Sequence, residues 1–261
     1  MTEIELRPGE DEMPEAGAAA ERVGPAADRL KARFSVVDTW VFDLDNTLYP
    51  AGSTIWPKID ERITRYLADL FGIDGLSARA LQKFYYLRHG TTLRGLIADH
   101  AISHEHFLDF VHDIDRSSLD PNPALVEAIT ALPGRKLILT NGSTHHALRT
   151  TERLGFDNTF EAIFDIVAAN LVPKPDREAY TTFFALHGVD PTRAVLFEDI
   201  ARNLVVPHEH GMATVLVVPT RDGVDHREPD DAQGMAEPHV DFVTDDLATF
   251  VTDIALALGR A

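Results

Sequence analysis

Short apolar runs that end in polar residues recur along the chain and predict buried β-strands. The first run ends at Phe42 and is followed at once by two carboxylates, Asp43 and Asp45. Similar runs, rich in β-branched residues, lie at 136–140, within 161–170, and at 194–199, 214–218 and 240–244. A parallel strand that is covered on both faces and opens into a site at its carboxyl end has this pattern.

Helical periodicity fills most of the intervals between these runs. The predicted helices lie at 145–156, 177–189, 201–212 and 246–258. Strands that alternate with helices predict an α/β fold with a parallel sheet and right-handed crossover connections.

Residues 50–121 contain helical periods and no clear strand. The periods cover 56–73, 77–90, 91–100 and 103–114. A helical insert at this place predicts a second, small domain, with Pro121 and Pro123 marking the return of the chain to the core. The core domain is then predicted at 34–49 and 122–261, with a long surface loop at 221–239.

The charge of the chain is strongly acidic. It has 261 residues, no Cys and a formal net charge of −18. Residues 1–33 hold eight acids and five bases but few large apolar side chains, so we expect a disordered tail there. The lack of Cys excludes disulfide scaffolds, Cys-ligated zinc and thiol catalysis. We expect no nucleic-acid partner, because phosphate neutralisation needs clustered Lys and Arg.

The chain shows no sign of a membrane partner. No apolar stretch approaches the roughly 20 residues that cross a membrane. The first residues contain no apolar run preceded by basic residues, so we expect no secretory signal. We therefore predict a cytoplasmic protein.

Asp43 and Asp45 are the first candidates for chemistry. In an extended segment, residues two apart point the same way, so these carboxylates would crowd at one strand end. Unpaired, they would repel and the pKa of one would rise. A divalent cation such as Mg²⁺ would relieve the repulsion. By itself, however, a pair of this spacing is also typical of a solvated loop or a helix cap.

Three further strand ends carry candidate residues. Thr140 and Asn141 lie in a turn before a helix and are suited to hold phosphate oxygens. Lys174 stands between two prolines that fix the local backbone, and Glu198 and Asp199 form a second acidic pair. Each feature alone has an ordinary explanation as a turn, a solvated lysine or a helix cap. Their coincidence after successive predicted strands indicates a phosphate site.

The motifs FDLDNTL, LTNGS, VPKPD and FEDIARN resemble, in this order, those of the haloacid-dehalogenase-like hydrolase superfamily. The resemblance covers residues 36–250. It implies a doubly wound, Rossmann-like parallel sheet as the core and a helical cap after the first strand. It also implies Mg²⁺ as cofactor and a small phosphorylated substrate.

Residue roles follow from the same resemblance. It implies that Asp43 is the nucleophile, that Asp45 is the general acid and base, and that Thr140, Asn141 and Lys174 bind phosphate.

The resemblance also implies a metal site. Asp43, Asp199 and the backbone carbonyl of Asp45 would hold Mg²⁺, with Glu198 and Asn203 in support. Haloacid dehalogenases of this superfamily lack an acid at the position of Asp45, so phosphoryl chemistry is expected.

The segments FDLDNTLYP, WPKIDERI and YYLRHGTTLRGL resemble the pyrimidine 5′-nucleotidase branch, which hydrolyses UMP or CMP. In the cap, Thr91, Thr92 and Arg94 could contact phosphate or sugar, and Tyr85 and Tyr86 could stack on a base. Alternatively, the tyrosines pack the cap and Arg94 forms an internal salt bridge. A phosphatase or phosphomutase for sugar phosphates or other small esters, and a non-catalytic nucleotide-binding regulator, remain open.

The histidines are not expected to bind zinc. Their spacing within the pairs 104/106 and 208/210 puts the members on different helix faces, unlike the spacing of four in a helical metal pair. His145 and His146 follow the second motif and could approach the substrate, but the favoured prediction is a solvent-facing helix.

Overall fold

A six-stranded parallel sheet forms the centre of the protein. The computed structural model describes residues 27–221, 223–227 and 231–260. The strands are β1 (Thr39–Phe42), β2 (Arg135–Leu139), β3 (Ala162–Phe164), β4 (Ala194–Glu198), β5 (Ala213–Val217) and β6 (Phe242–Thr244). Their order is β3-β2-β1-β4-β5-β6, and every pairing is parallel. The predicted α/β fold with a parallel, Rossmann-like sheet is confirmed.

The centre of the sheet is formed by β1 and β4. The chain first adds β2 and β3 on one side of β1, then returns to add β4 on the other side. Such a reversal opens a crevice at the carboxyl ends of the two strands. Phe42 and Phe197 are partners in this register, and their rings stack with centroids 4.6 Å apart. This contact fixes the two strand ends that carry acidic pairs.

Helices cover both faces of the sheet. They are α1 (Ala27–Phe34), α6 (Pro123–Ala131), α7 (Thr144–Leu154), α8 (Arg177–His187), α9 (Val205–Glu209) and α10 (Leu247–Ala257). Alternate residues of β1 enter two separate apolar clusters, with Trp40 and Phe42 in one and Val41 in the other. This is the period-two alternation of a strand that is buried on both faces.

Four helices form the insert between β1 and α6. They are α2 (Ile55–Phe71), α3 (Gly75–His89), α4 (Thr92–His100) and α5 (His104–His112). Their inner faces make a third apolar cluster, which includes Leu67, Tyr85 and Phe107. Gly95 lets α4 approach α3 closely, since a Cβ at this position would overlap the Tyr85 ring. We call this four-helix insert, residues 55–112, the cap.

The amino-terminal prediction is wrong for residues 27–33. They form α1, which packs against α10 with Leu30 and Phe34 buried. The rest of the predicted tail, residues 1–26, lies outside the described residues.

Two other elements differ from the sequence prediction. The helix expected at 201–212 is a 3₁₀ turn at Ala201–Leu204 followed by the short α9. Helix α6 was not predicted, although Asn122 caps it and Pro123 begins it. In the described part of the predicted 221–239 loop there is no helix or strand, with 222 and 228–230 outside the description. None of the described helices has the length and apolar character needed to cross a membrane.

Candidate active site

A cavity lies between the cap and the carboxyl ends of the central strands. All of the core residues predicted from the four motifs line it: Asp43, Asp45, Thr140, Asn141, Lys174, Glu198, Asp199 and Asn203. Residues that are far apart in the sequence meet here because parallel strands end at the same edge of the sheet.

Asp43 is held directly beyond the end of β1. Its backbone N–H donates to Phe197 O (2.9 Å), which continues the pairing with β4. Asn46 turns the chain away with φ 58°, a left-handed conformation that Asn tolerates better than most residues. Thr47 Oγ1 donates to Asp43 Oδ2 at 3.2 Å. Burial and the neighbouring Glu198 carboxylate raise the pKa of Asp43 to about 7, against the opposing charge of Lys174.

Lys174 joins two of the carboxylates. Its ammonium donates to Asp43 Oδ1 (2.7 Å), Glu198 Oε2 (2.6 Å) and Leu139 O (3.0 Å), so all three protons are used. Burial lowers the pKa of Lys174, but the charges of Asp43 and Glu198 outweigh it and the pKa rises. The side chain therefore stays a cation.

The Asn141 side chain holds the backbone of Lys174. Asn141 Oδ1 accepts from Lys174 N at 2.8 Å, and Asn141 Nδ2 donates to Lys174 O at 3.2 Å. In this arrangement the amide side chain places the lysine, while Thr140 offers its hydroxyl to the cavity. Thr140 Oγ1 accepts from Gly142 N at 3.0 Å, which leaves the hydroxyl proton for another acceptor. Beside it begins α7, whose first turn already has partners: Thr144 N donates to Asp165 Oδ2 at 2.7 Å, and His146 N donates to Ser143 Oγ at 3.2 Å.

Three buried carboxylates could hold a metal ion. Asp43, Glu198 and Asp199 each offer an oxygen within 4.8 Å of the others. Within the described ranges, Asp199 Oδ2 is buried without a hydrogen-bond partner. Burial, followed by the charges of Glu198 and Asp43, raises the pKa of Asp199 well above its ordinary value. The charge of Arg227, which donates to Asp199 O, opposes this rise but does not cancel it. An all-oxygen donor set of three carboxylates fits a hard divalent cation such as Mg²⁺.

Asp45 is held by two donors on one of its oxygens. Tyr49 OH donates to Asp45 Oδ1 at 2.5 Å, and His146 Nε2 lies 2.8 Å from the same atom. Burial raises the pKa of Asp45, but the interactions with His146 and Tyr49 outweigh it, so the pKa falls below its ordinary value.

The prediction that His146 faces solvent is wrong. His146 is fully buried, whereas its neighbour His145 is exposed. The buried residues of α7 lie on one stripe: His146, Ala147, Thr150, Thr151 and Leu154. The helical spacing of Ala147 and Leu154 is the one sequence signal that could have placed His146 inside.

The cap residues predicted to contact substrate fall into two groups. Thr91 and Thr92 line the cavity; Thr91 also caps α4, and Thr92 Oγ1 donates to Gln82 O at 3.4 Å. Arg94 is not among the described residues that line the cavity. It pairs instead with Asp176 of the core, with Arg94 Nη1 3.2 Å from Asp176 Oδ2.

The two tyrosines also separate. Tyr85 is buried in the cap, where its hydroxyl lies 2.7 Å from His100 Nε2. Tyr86 lines the cavity and bridges cap and core, because its hydroxyl donates to Asp231 (2.5 Å) and accepts from Arg202. Further lining residues that the sequence did not indicate are Trp56, Asp60, Gln82 and Lys83 of the cap and Arg202, Arg227 and Asp231 of the core.

Comparisons with known proteins found one matching family model and several similar proteins. A family model described as haloacid dehalogenase-like hydrolase matches residues 37–205. Phosphate metabolism protein 8 of Saccharomyces cerevisiae is 26% identical over 157 residues, which cover 54% of this chain and 49% of that protein. The matched region therefore spans about half the length of this curated relative.

Solved structures share the fold at low sequence identity. CbbY from Rhodobacter sphaeroides in complex with phosphate has a TM-score of 0.55 and 16% identity, covering 81% of this chain and 95% of that one. L-2-haloacid dehalogenase from Xanthobacter autotrophicus, with chloropropionic acid covalently bound, has a TM-score of 0.51 and 16% identity. The match covers 82% of this chain and 97% of that one. The phosphatase from Thermococcus onnurineus has a TM-score of 0.52 and 17% identity. The match covers 81% of this chain and 94% of that one.

Proposed function

Because the chain belongs to the haloacid dehalogenase-like hydrolase family, we propose that it is a Mg²⁺-dependent phosphatase that hydrolyses small phosphate monoesters through an aspartyl-phosphate on Asp43. One observation carries this proposal. Asp43 and Asp45 line the same cavity as the buried cluster of Lys174, Glu198 and Asp199. A nucleophile, a separate acid and base, and groups that balance phosphoryl charge are the parts that such a reaction requires.

Mg²⁺ would be held by Asp43, Asp199 and the backbone carbonyl of Asp45. When bound, the cation would offset negative charge on the transferring phosphoryl group. The unpartnered Asp199 oxygen supports this assignment, because a buried carboxylate oxygen without a donor is costly unless a cation reaches it.

The residues of the chain then divide the chemistry. The Asp43 carboxylate, held by Lys174 and Thr47, attacks phosphorus, so that an oxygen–phosphorus bond forms and the ester bond breaks. His146 and Tyr49 lower the pKa of Asp45 in the free site, so the acid role requires that the negative charge of the bound phosphate raise this pKa. Asp45 then gives its proton to the departing alcohol oxygen. In the second half, Asp45 takes a proton from the water that attacks the aspartyl-phosphate, which releases inorganic phosphate and frees Asp43. The Thr140 hydroxyl, whose proton is not used within the site, binds a phosphoryl oxygen.

Carbon–halogen cleavage is the second candidate, since solved dehalogenases share the fold. Two features favour phosphoryl transfer. Asp45 supplies an acid and base that a dehalogenase of this family lacks, and the buried carboxylates suit a divalent cation.

For the substrate we propose a pyrimidine nucleoside monophosphate. The cap side of the cavity combines the aromatic rings of Trp56 and Tyr86 with the polar groups of Asp60, Gln82 and Lys83. Rings of this kind stack on a planar base, and fixed polar groups can discriminate between base edges. A general small-molecule or sugar phosphatase, a phosphomutase and a non-catalytic nucleotide-binding regulator are the alternatives that the test must separate.

The test is a release assay on the purified chain with Mg²⁺. Phosphate release is measured from UMP, CMP, AMP, GMP and ribose 5-phosphate, and chloride release from 2-chloropropionate. We expect phosphate release that stops on chelation, with higher kcat/KM for UMP and CMP. The matched control is Asp43→Asn, which keeps the shape of the side chain but removes the nucleophile.

Each other outcome selects an alternative. An equal kcat/KM on purine and pyrimidine nucleotides indicates a general phosphatase. A higher kcat/KM on ribose 5-phosphate indicates a sugar phosphatase. Dependence on a bisphosphate activator indicates a mutase. Nucleotide binding without turnover indicates a regulator. Chloride release without phosphate release indicates a dehalogenase.

A further inference from the structure

A chain of buried side chains runs from Asp45 to the segment that leaves the cap. His146 Nε2 lies 2.8 Å from Asp45 Oδ1, and His146 Nδ1 lies 2.7 Å from Arg116 Nη2. We propose that His146 is a positioning residue that holds the Asp45 carboxylate in one orientation, and that Arg116 in turn fixes His146. This inference rests on the phosphatase function proposed above.

The direction of the hydrogen bonds follows from Arg116. A guanidinium has only donors, so His146 Nδ1 must accept from it. The ring proton then lies on Nε2 and is donated to Asp45 Oδ1. Arg116 therefore selects the tautomer of His146 that can hold the carboxylate, as a partner on one ring nitrogen generally does for the other.

The two oxygens of Asp45 have different surroundings. Oδ1 accepts from both Tyr49 and His146, whereas none of the described residues donates a hydrogen bond to Oδ2. Oδ2 lies beside the phosphate-binding turn, since a Cβ on Gly142 would be 3.7 Å from it and 3.3 Å from Thr140 Oγ1. Anchoring Oδ1 thus leaves Oδ2 facing the place where a proton must be transferred.

Arg116 is itself fixed by the end of the cap. It donates to the backbone carbonyl oxygens of His112 (3.2 Å) and Ile114 (3.1 Å), and Arg116 Nε lies 3.3 Å from Thr150 Oγ1. The His112 ring, on the last cap helix, stacks on His146 with centroids 4.4 Å apart and an angle of 10° between planes. The orientation of Asp45 is therefore connected to the segment through which the cap returns to the core.

Loss of the His146 donor would leave Asp45 with Tyr49 as its one side-chain partner among the described residues. The carboxylate could then rotate, and both proton transfers would start from a less favourable geometry. Small misplacements of a catalytic group can cost about 10²-fold in rate. Binding of the phosphate and the cation is proposed to use Thr140, Lys174 and Asp199, and among the described hydrogen bonds none joins His146 to these residues.

The experiment compares three variants with the wild type on a small aryl phosphate. His146→Leu removes the donor, His146→Gln restores an N–H donor, and His145→Leu is the matched control at the exposed neighbour. For His146→Leu we expect kcat to fall about 10- to 10²-fold with KM within about twofold of wild type. His146→Gln should recover part of kcat, and His145→Leu should match wild type.

Two kinetic results would overturn the inference. One is a kcat for His146→Leu equal to that of His145→Leu. The other is an equal decrease of kcat in His146→Leu and His146→Gln, together with an equal decrease of their melting temperatures. This result would show that His146 contributes through packing alone.

A measurement without turnover separates this inference from the proposed function. In wild-type protein labelled with ¹⁵N-histidine, NMR should show the His146 proton on Nε2, and Arg116→Met should disturb this tautomer. A proton on Nδ1 would contradict the inference even in an active enzyme. An inactive wild type that shows the Nε2 proton would contradict the phosphatase function and leave the placement of Asp45 supported.

Discussion

Lys174 Nζ lies 2.7 Å from Asp43 Oδ1, and both side chains are almost completely buried. The same ammonium lies 2.6 Å from Glu198 Oε2, so one cation serves two carboxylates that are both almost completely buried. Removing one member of such a group leaves buried charge without compensation. This relationship makes the proposed nucleophile dependent on Lys174 for its structure as well as for its chemistry.

Lys174→Met should therefore lower both stability and activity. We expect the free energy of unfolding of the metal-free protein to fall by about 3–5 kcal/mol, the usual cost of breaking a buried ion pair. Urea denaturation measures this change. The double variant Lys174→Met/Glu198→Gln is the control. It should regain part of the stability, because it removes one of the buried negative charges that the lost ammonium had balanced. It should regain no activity. A single variant as stable as wild type would contradict the charge arrangement.

Arg94→Ala should leave the ratio of nucleotide to aryl phosphate efficiency unchanged. Its guanidinium pairs with Asp176, and the two side chains are 41% and 39% exposed, so the pair contributes less than about 1 kcal/mol. The matched variant is Asp176→Asn, which removes the charge but can still cap α8. Steady-state kinetics on UMP and a small aryl phosphate should give the same ratio for both variants. A selective loss on UMP in Arg94→Ala alone would return Arg94 to the substrate site.

The parallel sheet explains why so much of the site could be predicted. A buried strand is visible as an apolar run, and the polar residue that follows it must lie at the carboxyl edge. Asp43, Thr140 and Asp199 were placed in this way, and they line one cavity. Lys174 follows the short β3 at some distance, and its fixed position depends on Asn141, which the sequence indicated only as a phosphate ligand.

The rest of the site depends on partners that no local pattern reveals. His146 is buried because Arg116 and Asp45, 30 and 101 positions away, satisfy its two nitrogens. Arg94 meets Asp176 across 82 positions. Local sequence gives no information on such pairs, so a polar residue is assigned to solvent until its partner is known.

The first helix offers a test of the amino-terminal boundary. Leu30 is 1% exposed and Phe34 is 0% exposed, and both pack in the core cluster that contains Trp40. Deletion of residues 1–34 should therefore lower the melting temperature strongly, since burying one large side chain contributes about 2–5 kcal/mol relative to Ala. The sequence predicts that deletion of residues 1–30 leaves the melting temperature nearly unchanged, but this deletion removes the buried Leu30 and should lower it. Leu30→Ala in the full chain is the control. If its melting temperature equals that of wild type, the packing of α1 is contradicted.

The buried His112 predicts a pH dependence of stability. Burial, with the nearby His146, lowers the pKa of His112 well below its ordinary value near 6.5. Below pH 6.5 the unfolded chain then binds a proton at His112 that the folded protein does not. The contribution of His112 to the free energy of unfolding is therefore complete above pH 6.5 and is lost as the pH falls below this value. The loss amounts to at most about 1.4 kcal/mol per pH unit.

His112→Phe keeps a ring against His146 but cannot titrate. Between pH 7.5 and 5.5 the free energy of unfolding of wild type should fall by about 1 kcal/mol more than that of His112→Phe. Urea denaturation at the two pH values gives the difference, with the exposed His145→Phe as control. Parallel pH profiles for wild type and His112→Phe would show that His112 has the same pKa in the folded and the unfolded protein, which would contradict the account.

Detection of a phosphoryl group on Asp43 tests the proposed reaction most directly. Asp45→Asn retains the nucleophile but lacks the base that activates water, so the phosphoenzyme should accumulate when the variant is mixed with Mg²⁺ and a small aryl phosphate. After acid quench, peptide mass spectrometry should place one phosphoryl group on Asp43, and Asp43→Asn should show none while its turnover falls at least about 10³-fold. Phosphate release by Asp43→Asn at a rate near that of wild type would contradict the mechanism.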